Sequence, residues 1–127
     1  MKFLNLFLFL FAISACSNGQ EETLSNNQTV LRVSNAAFDS IIKSESDIQL
    51  IDVRTANEFD AGKIKGAQNY DILNGDFERV ISELEKDKPV ALYCHGGNRS
   101  SRAREMLEKN GFSYIIELEK GYSNYKE

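Results

Sequence analysis

Strand-length apolar runs separated by helical patterns fill the 127-residue chain from Thr29 onward, and that alternation narrows the possible folds more than any other feature. "TVLRVS", residues 29–34, alternates as a short edge strand does. Ser34 or Asn35 can cap a helix running through Lys43, with Phe38, Ile41 and Ile42 on one face. "IQLIDV", residues 48–53, is a β-branched run of strand length. Thr55 and Glu58 have capping-box spacing, so a one-turn helix begins there and stops by Gly62. "GAQNY", residues 66–70, reads as another short strand. Asp76 can cap a helix whose Phe77, Val80, Ile81 and Leu84 make one apolar stripe. Lys88-Pro89 ends that segment, and "VALYC" from Val90 follows as a short buried strand. A helix from Ser100 to about Lys109 turns Ala103, Met106 and Leu107 inward and is ended by Gly111. "YIIEL", residues 114–118, closes the series as a strand.

Strands alternating with helices pair in parallel through right-handed crossovers. The expected fold class is therefore α/β, a small open parallel β-sheet with helices on both faces. In such sheets the ligand crevice lies at the carboxyl ends of the strands. Cys94 and Asp52 both stand at such ends. Residues 30–127 suffice for one domain with a single core, and no internal repeat is present. The formal net charge of −4 gives no reason to expect nucleic acid as a partner.

The first fifteen residues read as a leader. Lys2 is a short positive region, and Phe3 to Ala12 is an apolar run too short to span a bilayer. It closes on Ile13-Ser14-Ala15-Cys16, which resembles the lipobox of bacterial lipoproteins. That resemblance implies a signal peptide over 1–15 and lipidation of Cys16, with the chain held at a membrane by its N-terminal lipid. The implied location is the bacterial cell envelope, periplasmic or surface-exposed. An ordinary secretory leader cut near Ala15 would instead leave Cys16 free. Residues 16–29 then form a flexible tether, rich in Asn, Gln, Ser and Glu and too polar to order itself. With Cys16 lipidated, Cys94 has no disulfide partner in the chain, and a solitary thiol outside the cytoplasm points to function.

"YCHGGNRSS", residues 93–101, is laid out as strand, loop and helix. Gly96 and Gly97 allow backbone conformations in which successive N–H groups converge. The helix start near Ser100 adds unpaired N–H groups and the positive end of its dipole. Arg99 adds a permanent cation whose fork fits oxyanions. A Cys94 sulfur held in that ring is stabilised as thiolate, which makes it a nucleophile backed by an anion-binding wall.

"CHGGNRSS" resembles the active-site loop of the rhodanese-like domains, Cys-x-x-Gly-Asn-Arg-Ser. "LIDVRTANEFDAGKIKGAQN", residues 50–69, is similar to the family's first signature, and "NGFSYIIELEKGYSNY", residues 110–125, resembles its terminal one. Three positions depart from the pattern: Lys63 for a His, Lys120 for a Gly and Tyr125 for a Trp. The resemblance implies a rhodanese-like fold with a short last helix. It also implies sulfur transfer without cofactor or metal. Cys94 would take sulfane sulfur from a small-molecule donor such as thiosulfate and pass it, as a persulfide, to a thiol or cyanide acceptor. His95, Gly96, Gly97, Asn98, Arg99 and Ser100 would bind substrate.

Each residue also has a plainer reading. Cys94 as a small buried hydrophobe is weakened by the glycine loop beside it. Arg99 is a surface cation on the plainer reading, and otherwise binds the donor's sulfonate or braces the loop. His95, next to Cys94 on a tight loop, is a rim residue and a poor general base. Asp52 and Arg54 pair with each other or with neighbouring loops to support the site, and Glu58 is first a capping residue. Met106 and Tyr114 belong to the core. One Cys beside one His cannot build a tetrahedral zinc site. Phosphatases of the dual-specificity type also use Cys, loop and Arg, but with a residue more; here four residues, "HGGN", leave a ring suited to a single sulfur. A non-turnover module that binds sulfur or senses oxidants through Cys94 remains the alternative to an enzyme.

Overall fold

A computed structural model describes residues 27–126; the expected leader, Cys16 and the tether as far as Asn26 lie outside them. Five strands, β1 (Thr29–Val33), β2 (Gln49–Asp52), β3 (Gln68–Asn69), β4 (Val90–Tyr93) and β5 (Tyr114–Leu118), form one sheet in the order β1-β5-β4-β2-β3. Every pairing is parallel, with Thr29 opposite Tyr114, Val90 opposite Ile115 and Gln49 opposite Val90. The helices are α1 (Asn35–Ser44), α2 (Ala56–Ala61), α3 (Asp76–Val80) and α4 (Asn98–Lys109), and a 3-10 turn follows at Tyr122–Asn124.

The period of two along the strands divides the core between the sheet's faces. Leu50, Ala91, Tyr93, Ile116 and Leu118 pack with Phe38 of α1 on one side. Ile51, Val53, Val90, Leu92 and Ile115 meet Phe77 and Val80 of α3 and Ala103 and Leu107 of α4 on the other. All four residues of β4 are buried, as expected for a central strand covered on both faces. Phe38, Phe77 and Phe112 are fully enclosed, each stabilising the fold by about 1.5–3 kcal/mol. Met106 and Tyr114 are partly buried against the two halves of the core.

The element boundaries differ from expectation at four places, each for a local reason. Asp76 is not the cap of α3. Gly75 holds that position at φ 87°, and Asn74 Oδ1 accepts from Asp76 N at 2.9 Å, so Asp76 becomes the first helical residue. α3 ends at Val80, although Ile81 and part of Leu84 still bury the expected stripe. Gly66 turns at φ 87° beside a bond from Ala67 N to Ile64 O, which leaves only Gln68 and Asn69 for β3. α4 begins at Asn98 rather than Ser100, because Gly97 at φ 105° turns the chain directly into the helix. α2 spans six residues behind the capping box of Thr55 and Glu58.

Candidate active site

Between the end of β4 at Tyr93 and the start of α4 at Asn98 only four residues turn the chain, Cys94 to Gly97. The turn is fastened from behind by the segment after β5. Tyr122 N donates to Cys94 O at 2.7 Å and Ser123 N to His95 O at 3.0 Å. Two glycines make that approach possible. A Cβ on Gly97 would lie 2.5 Å from Glu119 O, and one on Gly121, at φ 69°, would lie 2.4 Å from His95 O. Both contacts are with backbone, which has nowhere to move.

Cys94 itself is 1% exposed. Its Sγ accepts from Gly97 N at 3.1 Å, and its thiol donates to Ser100 Oγ at 3.5 Å. Ser100 Oγ lies 2.9 Å from Glu117 Oε1 and 3.1 Å from Gly97 O. His95, Gly96 and Asn98 are exposed on the rim. The loop thus sets the Gly97 amide against the sulfur.

Arg99 is turned aside from that ring. Its Nη1 and Nη2 donate to Glu58 Oε2 and Oε1 at 2.7 and 2.8 Å, a two-pronged pair linking α4 to α2. Glu58 keeps its capping role too, accepting from Thr55 N at 3.1 Å. The Arg99 guanidinium, aided by Thr55 and opposed by partial burial, holds the Glu58 carboxyl at about 2. Glu58 in turn raises Arg99, which also feels Cys94 and Asp71.

Asp52 and Arg54 form a second, fully enclosed pair. Asp52 Oδ1 accepts from Arg54 N and Nε at 2.9 and 3.0 Å, and Oδ2 from Nη2 at 2.6 Å. Arg54 also donates to Gly62 O at 2.6 Å, and its guanidinium lies 4.2 Å above the Tyr122 ring. Burial works against its charge, but the bonds and charge of Asp52 outweigh that and raise it. Since Tyr122 N holds Cys94 O, the pair reaches the loop through one aromatic residue. Tyr125 stacks on Tyr122 at 6.4 Å and donates to Asp39 at 2.7 Å, while Lys63 lies 4.1 Å over the Phe59 ring.

Glu117 was not among the residues singled out by sequence. It is 0% exposed and accepts from Ser100 and Ser101 on Oε1, and from Arg32 and Arg104 on Oε2. Its signal was legible: an acid in the middle of the apolar run "YIIEL" has to be paired if buried. Among the described residues, no group of three or more His, Cys, Asp or Glu is placed to hold a metal ion.

The fold and this loop define a class, small parallel α/β domains that present a cysteine in an amide-lined turn at a strand end. The chain belongs to the rhodanese-like domain family, whose model matches residues 34–127. It is 43% identical over 77 residues to the uncharacterized protein YqhL of Bacillus subtilis, covering 61% of this chain and 60% of that one. It is 35% identical to a tRNA uridine(34) hydroxylase of Pelagibacter ubique, over 65% of this chain but 28% of the hydroxylase. With the thiosulfate sulfurtransferase GlpE of Shewanella oneidensis it shares 31% identity, over 63% of this chain and 77% of the relative. The crystal structure of a rhodanese-related protein from Thermoplasma volcanium superposes with a TM-score of 0.63 at 29% identity, covering 76% of this chain and 95% of that one. The chain thus spans less than two thirds of the length of the first two of these relatives.

Proposed function

We propose that this protein is a sulfurtransferase working through a Cys94 persulfide. The Cys94 thiolate attacks the outer sulfur of thiosulfate or a similar sulfane donor. The donor's S–S bond breaks, sulfite leaves with the bonding pair, and the sulfane sulfur stays on Cys94. A thiol or cyanide then attacks that sulfur and returns Cys94 to thiolate. The observation that carries this reading is the Gly97 N–H held 3.1 Å from Sγ in a loop of sulfur size. His95, Gly96 and Asn98, the exposed residues of the loop, edge the space for donor and acceptor, Ser100, 0% exposed, meets the sulfur from within, and Arg99, Glu58, Asp52 and Arg54 keep the loop in shape. The likeness to a thiosulfate sulfurtransferase supports the choice of donor. The test is intact mass spectrometry of the full chain after incubation with thiosulfate. One sulfur added to wild type and none to Cys94→Ser supports the reading; no addition to wild type from any sulfane donor refutes it.

The 1% exposure of Cys94 favours one second reading, a module that stores sulfur or records oxidation without turnover. Rapid cyanide-dependent formation of thiocyanate decides for the enzyme; a stable persulfide that cyanide removes only over hours decides for the module. Anchorage through a lipidated Cys16 belongs to the same proposal, motivated by Ile13 to Cys16. Cys16→Ala is expected to shift the exported protein out of the detergent phase, and unchanged partitioning would remove the lipid from the account.

A further inference from the structure

Ser100 has one hydroxyl hydrogen and three neighbours able to accept it: Glu117 at 2.9 Å, Gly97 O at 3.1 Å and Cys94 Sγ at 3.5 Å. The carboxylate is the nearest, and a charged acceptor makes the stronger bond. Committed to Glu117, the hydroxyl presents only lone pairs to Cys94, which suits a protonated thiol and not a thiolate.

We propose that Glu117 is a positioning residue for Cys94: by holding the hydroxyl of Ser100 turned away, it keeps the nucleophile as a thiol at rest. This rests on the reading of Cys94 as the nucleophile and adds the control of its reactivity. Other charges face the same two groups. Arg99, paired with Glu58 of α2, is within electrostatic reach of both Cys94 and Asp71 of the β3–α3 loop, and His95 is exposed beside Cys94. Arg32 of β1 and Arg104 of α4 lie on the side of Glu117. None of these is hydrogen-bonded to the Ser100 hydroxyl, whose direction is set between Gly97 O at 3.1 Å and the nearer, charged Glu117 at 2.9 Å.

The donors around Glu117 fix what Glu117→Gln would do. Oε2 faces Arg32 Nε at 3.2 Å and Arg104 Nε at 2.9 Å, and both can only donate. A glutamine must therefore turn its carbonyl oxygen to the arginines and its NH2 to Ser100 and Ser101. Ser100 Oγ then accepts on that side, and its hydrogen is left to Gly97 O at 3.1 Å or Cys94 Sγ at 3.5 Å, of which a thiolate, being charged, is the stronger acceptor.

The experiment is alkylation of Cys94 by neutral iodoacetamide, followed by mass spectrometry from pH 5 to pH 9 on the full chain. Glu117→Gln is expected to react about tenfold faster than wild type at neutral pH, the effect of one hydrogen bond to an anion. In a Ser100→Ala background the same substitution is expected to change the rate by less than about twofold, because no hydroxyl is left to turn. A slower or unchanged Glu117→Gln overturns the proposal. An equal acceleration without the Ser100 hydroxyl also overturns it, since the carboxylate would then act through space. If Glu117→Gln does not fold, Ser100→Ala alone decides: unchanged or faster alkylation supports the proposal, and a several-fold slower rate shows the hydroxyl already serving the thiolate. Alkylation reads ionisation and not sulfur loading, so a Cys94 that takes no sulfur would sink the proposed function and leave this result standing.

Discussion

Arg99 of α4 and Glu58 of α2 grip each other through two charge-assisted hydrogen bonds of 2.7 and 2.8 Å, joining the helix behind the nucleophile to a cap 41 positions away. An Arg at the second position of a helix that starts beside Cys94 invites a role in binding anions. The geometry gives it a carboxylate instead. Its charge is matched by Glu58.

From that pairing we predict that Arg99→Ala lowers sulfur loading from thiosulfate and from an uncharged organic polysulfide alike, the two losses agreeing within about a factor of three. Steady-state kinetics with both donors checks it. A loss confined to thiosulfate would show that Arg99 leaves Glu58 to meet the sulfonate.

Glu58 also sets a window of acid stability. Its carboxyl lies at about 2 in the folded protein against an ordinary 4.5, so the pair's contribution is fully present above pH 4.5 and is lost as the pH falls toward 2. Glu58→Gln is expected to cost about 1–2 kcal/mol at neutral pH, the lower end for bonds to charged groups because both side chains keep some solvent contact. The difference in denaturation midpoint between wild type and variant should shrink across that window. A constant difference would mean that the capping bonds, not the charge, stabilise α2.

Asp52→Ala strands the guanidinium of Arg54, which is 2% exposed. Loss of one partner of an enclosed ion pair costs about 3–5 kcal/mol. Chemical denaturation should show that loss, with activity falling in parallel as Tyr122 is released from beneath Arg54. A cost below about 1 kcal/mol would mean that water reaches the arginine and replaces the carboxylate.

Gly121→Ala and Gly96→Ala should behave as opposites. At Gly121 the added methyl meets His95 O at 2.4 Å with φ at 69°, whereas at Gly96 nothing lies within 4 Å. The first is expected to lose more than about 2 kcal/mol and most sulfur loading, and the second to stay within about 0.5 kcal/mol of wild type. Thermal melts and persulfide mass shifts of the two variants are the measurement.

The alternation of runs made the parallel sheet legible, because "IQLIDV", "VALYC" and "YIIEL" have the length and β-branching of strands buried on both faces. Strand order was not legible, since alternation says that strands pair in parallel but not which ones. The cap of α3 went to Gly75 because a left-handed glycine and the Asn74 side chain solved the turn before Asp76 could. Cys94 stood out through its glycines. Arg99 and Glu58 each had a local role in the sequence, helix start and capping box, and a pairing across 41 positions leaves no local mark. Glu117 is one letter in a strand, and its pairing with two serines and two arginines, all distant in sequence, leaves no local mark either.

The place of β5 in the sheet has a kinetic consequence. Among the described residues it is the last strand in chain order, yet it lies between β1 and β4 and is the only strand that β1 pairs with. Thr29 therefore waits for Tyr114, and the sheet cannot be completed by local steps, a topology that folds slowly. Glu117, which orients Ser100, and Tyr122, which fastens Cys94 O, arrive on that same late segment. A growing or half-folded chain has the thiol but not its surroundings, so the setting of Cys94 is complete only when β5 slots home.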